Sequence, residues 1–242
     1  MVDLSKRSGQ KELMDDFGGT PEAFQEVLVD ISRVNRVLGG NRITLNAVFK
    51  LITENPKKSY TILDVGCGEG TMLRTLARAA KKRTIGLKLI GVDLNTDALK
   101  IGRENSTDFP EIEYREQDVL QGDIKNLKCD IIITTLTMHH FSDMEIKRFI
   151  KRFSNITSLG IIVNDLHRSR LAYYLYKLFS LFFIKTRTAK IDGLISIRRG
   201  FLKSDLKSLA SSITGVQHEI HWKWAFRYVW TIRTNALKES YE

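Results

Sequence analysis

Apolar residues at Phe24, Val27, Leu28, Ile31, Val34 and Leu38 recur at the three- and four-residue spacing of one helix face. Thr20 as a capping residue, Pro21 at the first helical position and Glu22 just after it open that segment, and Gly39-Gly40 close it. A second helix is predicted over 43–53, stopping before Asn55-Pro56 because the residue preceding a proline is pushed out of the helical region. Beyond Tyr60 the rhythm changes. Short apolar runs at 61–65, 87–93, 112–114, 130–136 and 161–165 alternate with helical patterns at 71–80, 97–105 and 144–156. Such alternation predicts an α/β fold with a mostly parallel sheet, helices on both faces, and ligands bound at the carboxyl ends of the strands.

The alternation breaks at 171–184 (LAYYLYKLFSLFFI), a segment apolar and aromatic nearly all round, with Arg168 and Arg170 before it and Lys185 and Arg187 after it. Its 14 residues fall short of the ~20 that cross a bilayer. A helix at 203–213, a strand at 216–222 and a last strand at 227–232 follow, the two strands reading as a hairpin. The predicted organisation is a helical cap over 1–55 and one domain over 56–242, with an insertion at about 168–200. Residues 1–10 contain no apolar stretch of a secretory signal and read as a mobile polar tail.

Composition adds little to this until charge is placed along the chain. The 242 residues are 43% hydrophobic and 27% charged, an ordinary globular balance. Cys67 and Cys129 lie far apart without metal-type spacing, so neither a disulfide framework nor a metal site is expected, and a reducing cytoplasm suits them. The net charge of +10 suggests nucleic acid or an anionic membrane at first sight. Residues 1–143, however, hold 20 basic against 21 acidic groups, whereas 144–242 hold 18 against 7. The two regions therefore face different partners.

The most informative stretch is Ile62-Leu63-Asp64-Val65-Gly66-Cys67-Gly68-Glu69-Gly70-Thr71, a strand running into a G-x-G-x-G turn and then a helix. Three acids accompany the glycines: Asp64 before them, Asp93 ending the next strand, and Asp118 after the third. A nicotinamide dinucleotide is the obvious rival, but its glycines are spaced G-x-G-x-x-G. Here Asp64 and Glu69 would also lie where a pyrophosphate must sit, and would repel it. S-adenosylmethionine has no phosphate and carries a sulfonium and an ammonium, so an acidic loop suits it. Glycine lets the backbone approach its flat chain closely.

In these residues the chain resembles the class I methyltransferases that use S-adenosylmethionine. LDVGCGEG is similar to their first motif, and GVDLN at 91–95 and EQDV at 116–119 to the second and third. The resemblance covers about residues 60–165. It implies a Rossmann-like, seven-stranded sheet with an antiparallel last strand, and S-adenosyl-L-methionine as cofactor. It also implies that Gly66, Gly68 and Gly70 line methionine and ribose, that Asp64 lies near the ammonium, that Asp93 takes the ribose hydroxyls and that Asp118 meets the adenine amine. Cys67, Leu94 and Val119, within these motifs, complete the expected cofactor wall.

Within that superfamily, Val34-Asn35-Arg36 with Gly39-Gly40, Met138-His139-His140-Phe141, and the stretch from Val163 to Tyr173 (VNDLHRSRLAY) resemble small-molecule methyltransferases of aromatic polyketide and aryl-polyene pathways, relatives of the ubiquinone and menaquinone enzymes. This implies a phenolic or polyketide-like acceptor, lipophilic and open to carrier attachment. A quinone or lipid headgroup methylated at a membrane surface is the alternative. RNA is disfavoured: no separable binding module is present, and Thr134-Thr135-Leu136-Thr137 stands where an Asn-Pro-Pro-Tyr-type tetrapeptide marks amino-group methylation.

Removing a proton from a phenol or ring carbon calls for a base, and His139, His140, Asp165 and His167 follow the fourth and fifth strands and should crowd one sheet edge. Segment 171–184 reads as a lid over the acceptor, a core helix, or a membrane-surface contact, with Tyr173, Tyr174, Tyr176, Phe179, Phe182 and Phe183 available as an aromatic wall. Arg168, Tyr173, Tyr174, Arg198 and Arg199 are the candidate acceptor contacts, the arginines for an acidic group.

Overall fold

The computed structural model describes residues 2–234; the last residues of the predicted 56–242 domain lie outside them. Seven strands form one sheet in the order β3-β2-β1-β4-β5-β7-β6. They are β1 (Ser59–Val65), β2 (Gly86–Asp93), β3 (Ile112–Glu116), β4 (Cys129–Thr135), β5 (Thr157–Leu166), β6 (Gln217–Lys223) and β7 (Arg227–Arg233). The first five are parallel, and β7 inserts antiparallel between β5 and β6. The register Leu166↔Arg227 brings the start of β7 to the carboxyl end of β5.

The helices are α1 (Pro21–Val37), α2 (Gly40–Glu54), α3 (Thr71–Lys81), α4 (Thr96–Glu104), α5 (Asp143–Ser154), α6 (Arg170–Phe183), α7 (Arg187–Arg199) and α8 (Lys203–Ser211). Each strand of the centre is apolar on both sides because helices cover both faces. Ile62, Leu89, Ile131 and Ile133 pack under α2, α3 and α4. Leu63, Ile90, Ile132 and Ile161 pack under α5 and α8, whose Phe149, Phe153, Leu206 and Leu209 fill the opposite face. Local chemistry starts two of these helices, at Thr20 as anticipated. The Thr20 hydroxyl accepts from Ala23 N–H, and Ser142 and Glu145 form a reciprocal capping box at α5. No helix among the described residues is long and apolar enough to cross a membrane.

Two expectations need correction. The insertion is a pair of helices, and α7 was missed because its inward face is polar: Asp192 and Arg199 are buried, which blurs the apolar period. Residues 2–10 are not a loose tail. Together with residues 11–16 they form a strap docked across α7 and the β4–α5 connection. Leu4 is buried, and Ser8 N–H donates to Arg198 O (3.0 Å). Arg7 lies over the Phe201 ring and donates to the carbonyls of Arg199, His139 and Phe141 and to Asp143. Polar anchors leave no periodic mark in sequence.

Arg7→Ala should therefore loosen the strap. The expected result is faster limited proteolysis within residues 2–16, with a stability loss of about 1–3 kcal/mol in chemical denaturation. Digestion rates equal to wild type would show that Arg7 does not hold it.

Candidate functional site

Over the carboxyl ends of β1, β2, β4 and β5 lies one cavity of about 1360 Å³, roofed by α1, α6 and α7. Its first wall is the β1–α3 loop. Gly66, Gly68 and Gly70 all adopt positive φ (70°, 53° and 77°), which L side chains rarely adopt. At Gly66 a Cβ would also overlap the Thr137 side chain. Asp93 holds the loop in place by accepting from Gly68 N–H (2.8 Å) and Asn95 N–H (3.0 Å), one donor on each carboxylate oxygen. Lone pairs on both oxygens remain for a ligand.

Asp64 is 2% exposed, lines the cavity, and its carboxylate accepts no hydrogen bond from any described residue. Burial and the charge of Asp93 push its pKa well above the carboxylate range. A buried acid with no hydrogen-bond partner and a repelling neighbour is suited to a cation. The ammonium and sulfonium of S-adenosylmethionine fit it. Cys67 forms part of the wall, and burial keeps its thiol neutral. Leu94, 65% exposed, and Val119 line the same end.

Two sequence-level expectations change here. Glu69 does not face the ligand as a bare charge: it is paired with Arg74 and hydrogen-bonded by Thr71 and by Ser32 (2.9 Å), so the carboxyl groups left for a ligand at the loop are those of Asp64 and Asp93. Asp118 turns away. Its carboxylate accepts from Leu120 N–H (2.8 Å) and Gln121 N–H (3.1 Å), an Asx-type turn, while Gln117 and Val119 on either side line the cavity.

The second wall joins β4, β5 and the strap. His139 is 3% exposed, and its Nδ1 and Nε2 lie 2.7 Å from Asp165 Oδ1 and 3.2 Å from Glu12 Oε1. Asp165 also accepts from the N–H groups of His139 and Leu166. Glu12 also accepts from the Ser196 hydroxyl (2.6 Å). Burial by itself would lower the His139 pKa, but the two carboxylates outweigh it and raise it to about 9. At Asp165 and Glu12 burial acts the other way, and the His139 charge and the hydrogen bonds they accept outweigh it and hold both below the usual carboxylate range. At neutral pH His139 is an imidazolium clamped between two carboxylates, with no lone pair to offer.

His140 is the opposite case. Burial and the neighbouring His139 charge lower its pKa, so it is neutral at pH 7. Its ring lines the cavity, makes no hydrogen bond to any described residue, and places Nε2 and Nδ1 each 3.7 Å from Glu12 and Asp15 respectively. Two adjacent histidines are thus driven apart by their surroundings. Glu12 escaped sequence reading because it sits in the strap, 127 residues from His139.

The remaining candidates fall outside. His167 is not on the cavity wall; its Nδ1 accepts from Trp222 Nε1 (3.3 Å), and burial and Arg168 lower its pKa. Arg168 is a buried brace, donating to Leu4 O, Gly200 O and Asp205. Arg198 donates to Gln10 Oε1 on the outer side. Arg199 reaches the cavity wall, but its donors go to the carbonyls of His139, Gln10 and His140, so it shapes the site instead of gripping an anion. Tyr173 and Tyr174 lie off the cavity because the phase of α6 turns Ala172, Leu175, Tyr176 and Phe179 inward. The core-helix reading of α6 does not hold: within it only Ala172 and Ser180 are buried.

Comparison with known proteins agrees with this geometry. Residues 62–160 match the family described as a methyltransferase domain. The mitochondrial ubiquinone biosynthesis O-methyltransferase of Rattus norvegicus is 25% identical over 132 residues, 52% of this chain and 36% of that protein. The chain spans between about a third and a half of the length of the curated relatives it matches. Among solved structures, the plantazolicin methyltransferase in complex with SAH superposes with a TM-score of 0.67 at 14% identity, covering 91% of this chain and 92% of that one. The citrinin polyketide synthase CMeT domain gives 0.66 at 12% identity, covering 94% and 60%. These likenesses establish the fold.

Proposed function

We propose that this chain, which carries a class I S-adenosylmethionine-dependent methyltransferase domain, methylates oxygen or carbon of a small lipophilic acceptor, a phenolic or polyketide-like aromatic. The observation that carries the reading is one cavity joining an acid-lined glycine loop to an apolar chamber, with a neutral histidine on its wall. Asp64 would hold the cofactor's ammonium, Asp93 its ribose diol, and Leu94 and Val119 its adenine. When bound, S-adenosylmethionine supplies a methyl group on a sulfonium, whose departure as a neutral thioether makes alignment and water exclusion the main demands.

The chain's own residues meet those demands. Leu28, Ile31, Val34, Leu175 and Phe179 line the cavity from α1 and α6 and exclude water from the acceptor's apolar body. His140 takes the acceptor proton on a ring nitrogen, and the carboxylates of Glu12 and Asp15 at 3.7 Å stabilise the imidazolium that results. His139 does not titrate in this step. It holds Glu12 beside His140 and is itself held by Asp165.

The test is turnover with S-adenosylmethionine and a panel of alkyl- and polyketide-type phenols, read as SAH release and a methyl-mass increment. His140→Ala should lower kcat by about 10²–10⁴ with cofactor affinity unchanged. Activity should be lost as pH falls through a pKa below the ordinary ~6.5 of histidine, since the base must be neutral. A kcat within twofold of wild type would remove His140 from the chemistry.

A second reading has its own support. Leu171, Leu181 and Phe182 of α6 and Trp224 are 60%, 63%, 76% and 67% exposed, beside exposed Arg170, Lys177 and Lys185. Apolar side chains between cations suit a membrane interface and hence a quinone or lipid acceptor. Sedimentation with anionic vesicles separates the two, since the soluble-acceptor reading expects no binding.

A further inference from the structure

Arg227 opens β7 at the sheet edge where the cavity lies, and its guanidinium is buried and part of the cavity wall. One nitrogen is spent: Nη2 donates to Asn35 Oδ1 (2.9 Å). Nε and Nη1 find no acceptor among the described residues. No carboxylate of the described residues is within ion-pair distance. Asp165 attracts it through space but is committed to His139, and burial pulls the arginine's pKa down to about 10. A buried cation with two unmet donors is costly, and proteins keep few such groups without a use.

The surroundings hold Arg227 in this exposed-to-ligand, hidden-from-solvent position. Asn35 Nδ2 donates to Asn41 Oδ1 (2.6 Å), which fixes the amide that receives Arg227. Gly40 must lack a side chain because a Cβ would run into the Asn35 amide and the Arg227 guanidinium, 2.9 Å from its Cζ. Its carbonyl is tied to β5 by Asn164 Nδ2 (3.0 Å). The Val34–Gly40 stretch, with Asn35 and Gly39-Gly40, thus builds a seat for one guanidinium. Trp224 and Phe226, preceding it in the hairpin, give the cavity an aromatic wall at the same place.

We propose that Arg227 is the anchor for a carboxylate bound in the cavity, carried by a lipophilic acidic acceptor whose apolar body lies against α6 and the hairpin. This rests on the methyltransferase reading of the same cavity. Guanidinium donors in a desolvated site favour an oxyanion over a neutral oxygen, because charge-assisted hydrogen bonds are about twice as strong as neutral ones. The same chemistry is present in the amino-acid carboxylate of the cofactor, so the experiment has an arm for each source.

Titrate 2-naphthoate and 2-naphthamide, and separately SAH and its decarboxylated counterpart S-adenosyl-3-thiopropylamine, into wild type, Arg227→Met and Arg227→Lys. The expected result is a tenfold or greater preference of wild type for naphthoate over the amide. The preference should vanish in Arg227→Met and be reduced in Arg227→Lys, with SAH affinity the same in all three. If the preference that vanishes is instead the one for SAH over its decarboxylated counterpart, Arg227 anchors a carboxylate and the cofactor is its source. Both preferences unchanged in Arg227→Met overturns the proposal.

SAH binding itself reports on the methyltransferase reading: its absence in wild type sinks that reading, whereas the naphthoate comparison sinks only the anchor. Thermal unfolding adds a readout that a bracing role would not give. Arg227→Met should melt a few degrees higher than wild type, and naphthoate should raise the melting temperature of wild type alone. Should Arg227→Met melt lower while keeping the naphthoate preference, the residue is a structural brace and the proposal falls.

Discussion

Asp93→Ala is expected to weaken S-adenosylmethionine binding by on the order of a hundredfold or more. Each hydrogen bond to a charged group contributes about 1.5–3 kcal/mol, and the Asp93 carboxylate has a vacant lone pair on each oxygen for a ribose diol. The same substitution releases Gly68 and Asn95 from the carboxylate that ties the β1–α3 loop to the β2 end. Both effects act in one direction. Calorimetric titration measures the affinity, and an unfolding curve close to wild type shows that the loss is local. Asp93→Asn should lie between, since an amide oxygen accepts but carries no charge. Affinity within threefold of wild type for Asp93→Ala would remove the glycine loop and its acid as the cofactor site.

The second large effect is on stability. His139→Ala leaves Glu12 and Asp165, both buried, facing each other across a gap with their shared cation gone. Breaking a buried pair by removing one partner typically costs about 3–5 kcal/mol, a large part of the ~5–15 kcal/mol that holds a domain folded. The fall in melting temperature should be roughly 10 °C, at ~2–4 °C per kcal/mol for a chain of this size.

The pH dependence separates this cause from simple loss of packing. His139 has a folded pKa of about 9 against ~6.5 unfolded, so the folded state binds its proton more tightly. Its contribution is fully present below ~6.5 and is lost as pH rises through about 9, some 3 kcal/mol in all. Glu12 and Asp165, held below the usual carboxylate range, contribute above their unfolded values, and that contribution is lost as pH falls through the lowered ones. The difference between wild type and His139→Ala should therefore be largest between about pH 5 and 6.5 and shrink toward pH 10. Unfolding curves across that range that stay a constant distance apart would mean the imidazolium is not the source of the stability.

Some of this was legible from residue order alone because the physics behind it is local. The alternation of apolar runs and helical faces reflects burial on both sides of each strand, and it located nearly every element to within a few residues. The positive φ at Gly66, Gly68 and Gly70 and the acids two residues before Gly66 and 23 residues after Gly70 belong to one strand-turn-helix unit and the next strand end, so their grouping needs no knowledge of the rest. Periodicity failed where polar groups face inward, as in α7, and where a segment docks by hydrogen bonds to carbonyls, as in the strap carrying Arg7 and Glu12.

What residue order determined about this protein is its α/β architecture and an acid-lined cradle suited to a cationic cofactor, since both are set by neighbours in sequence. Tertiary structure decided the acceptor side. It chose Ala172, Tyr176 and Phe179 over Tyr173 and Tyr174 through the phase of one helix. It spent Arg168 and Arg199 on carbonyls and a carboxylate of their own fold, kept Arg198 off the cavity wall, and left Arg227 on that wall with donors to offer. It also clamped His139 between carboxylates from β5 and the strap while leaving His140 neutral. A charge or a lone pair is available to a substrate only when nothing nearer has claimed it, and the claimants come from elements up to 192 residues away in the chain.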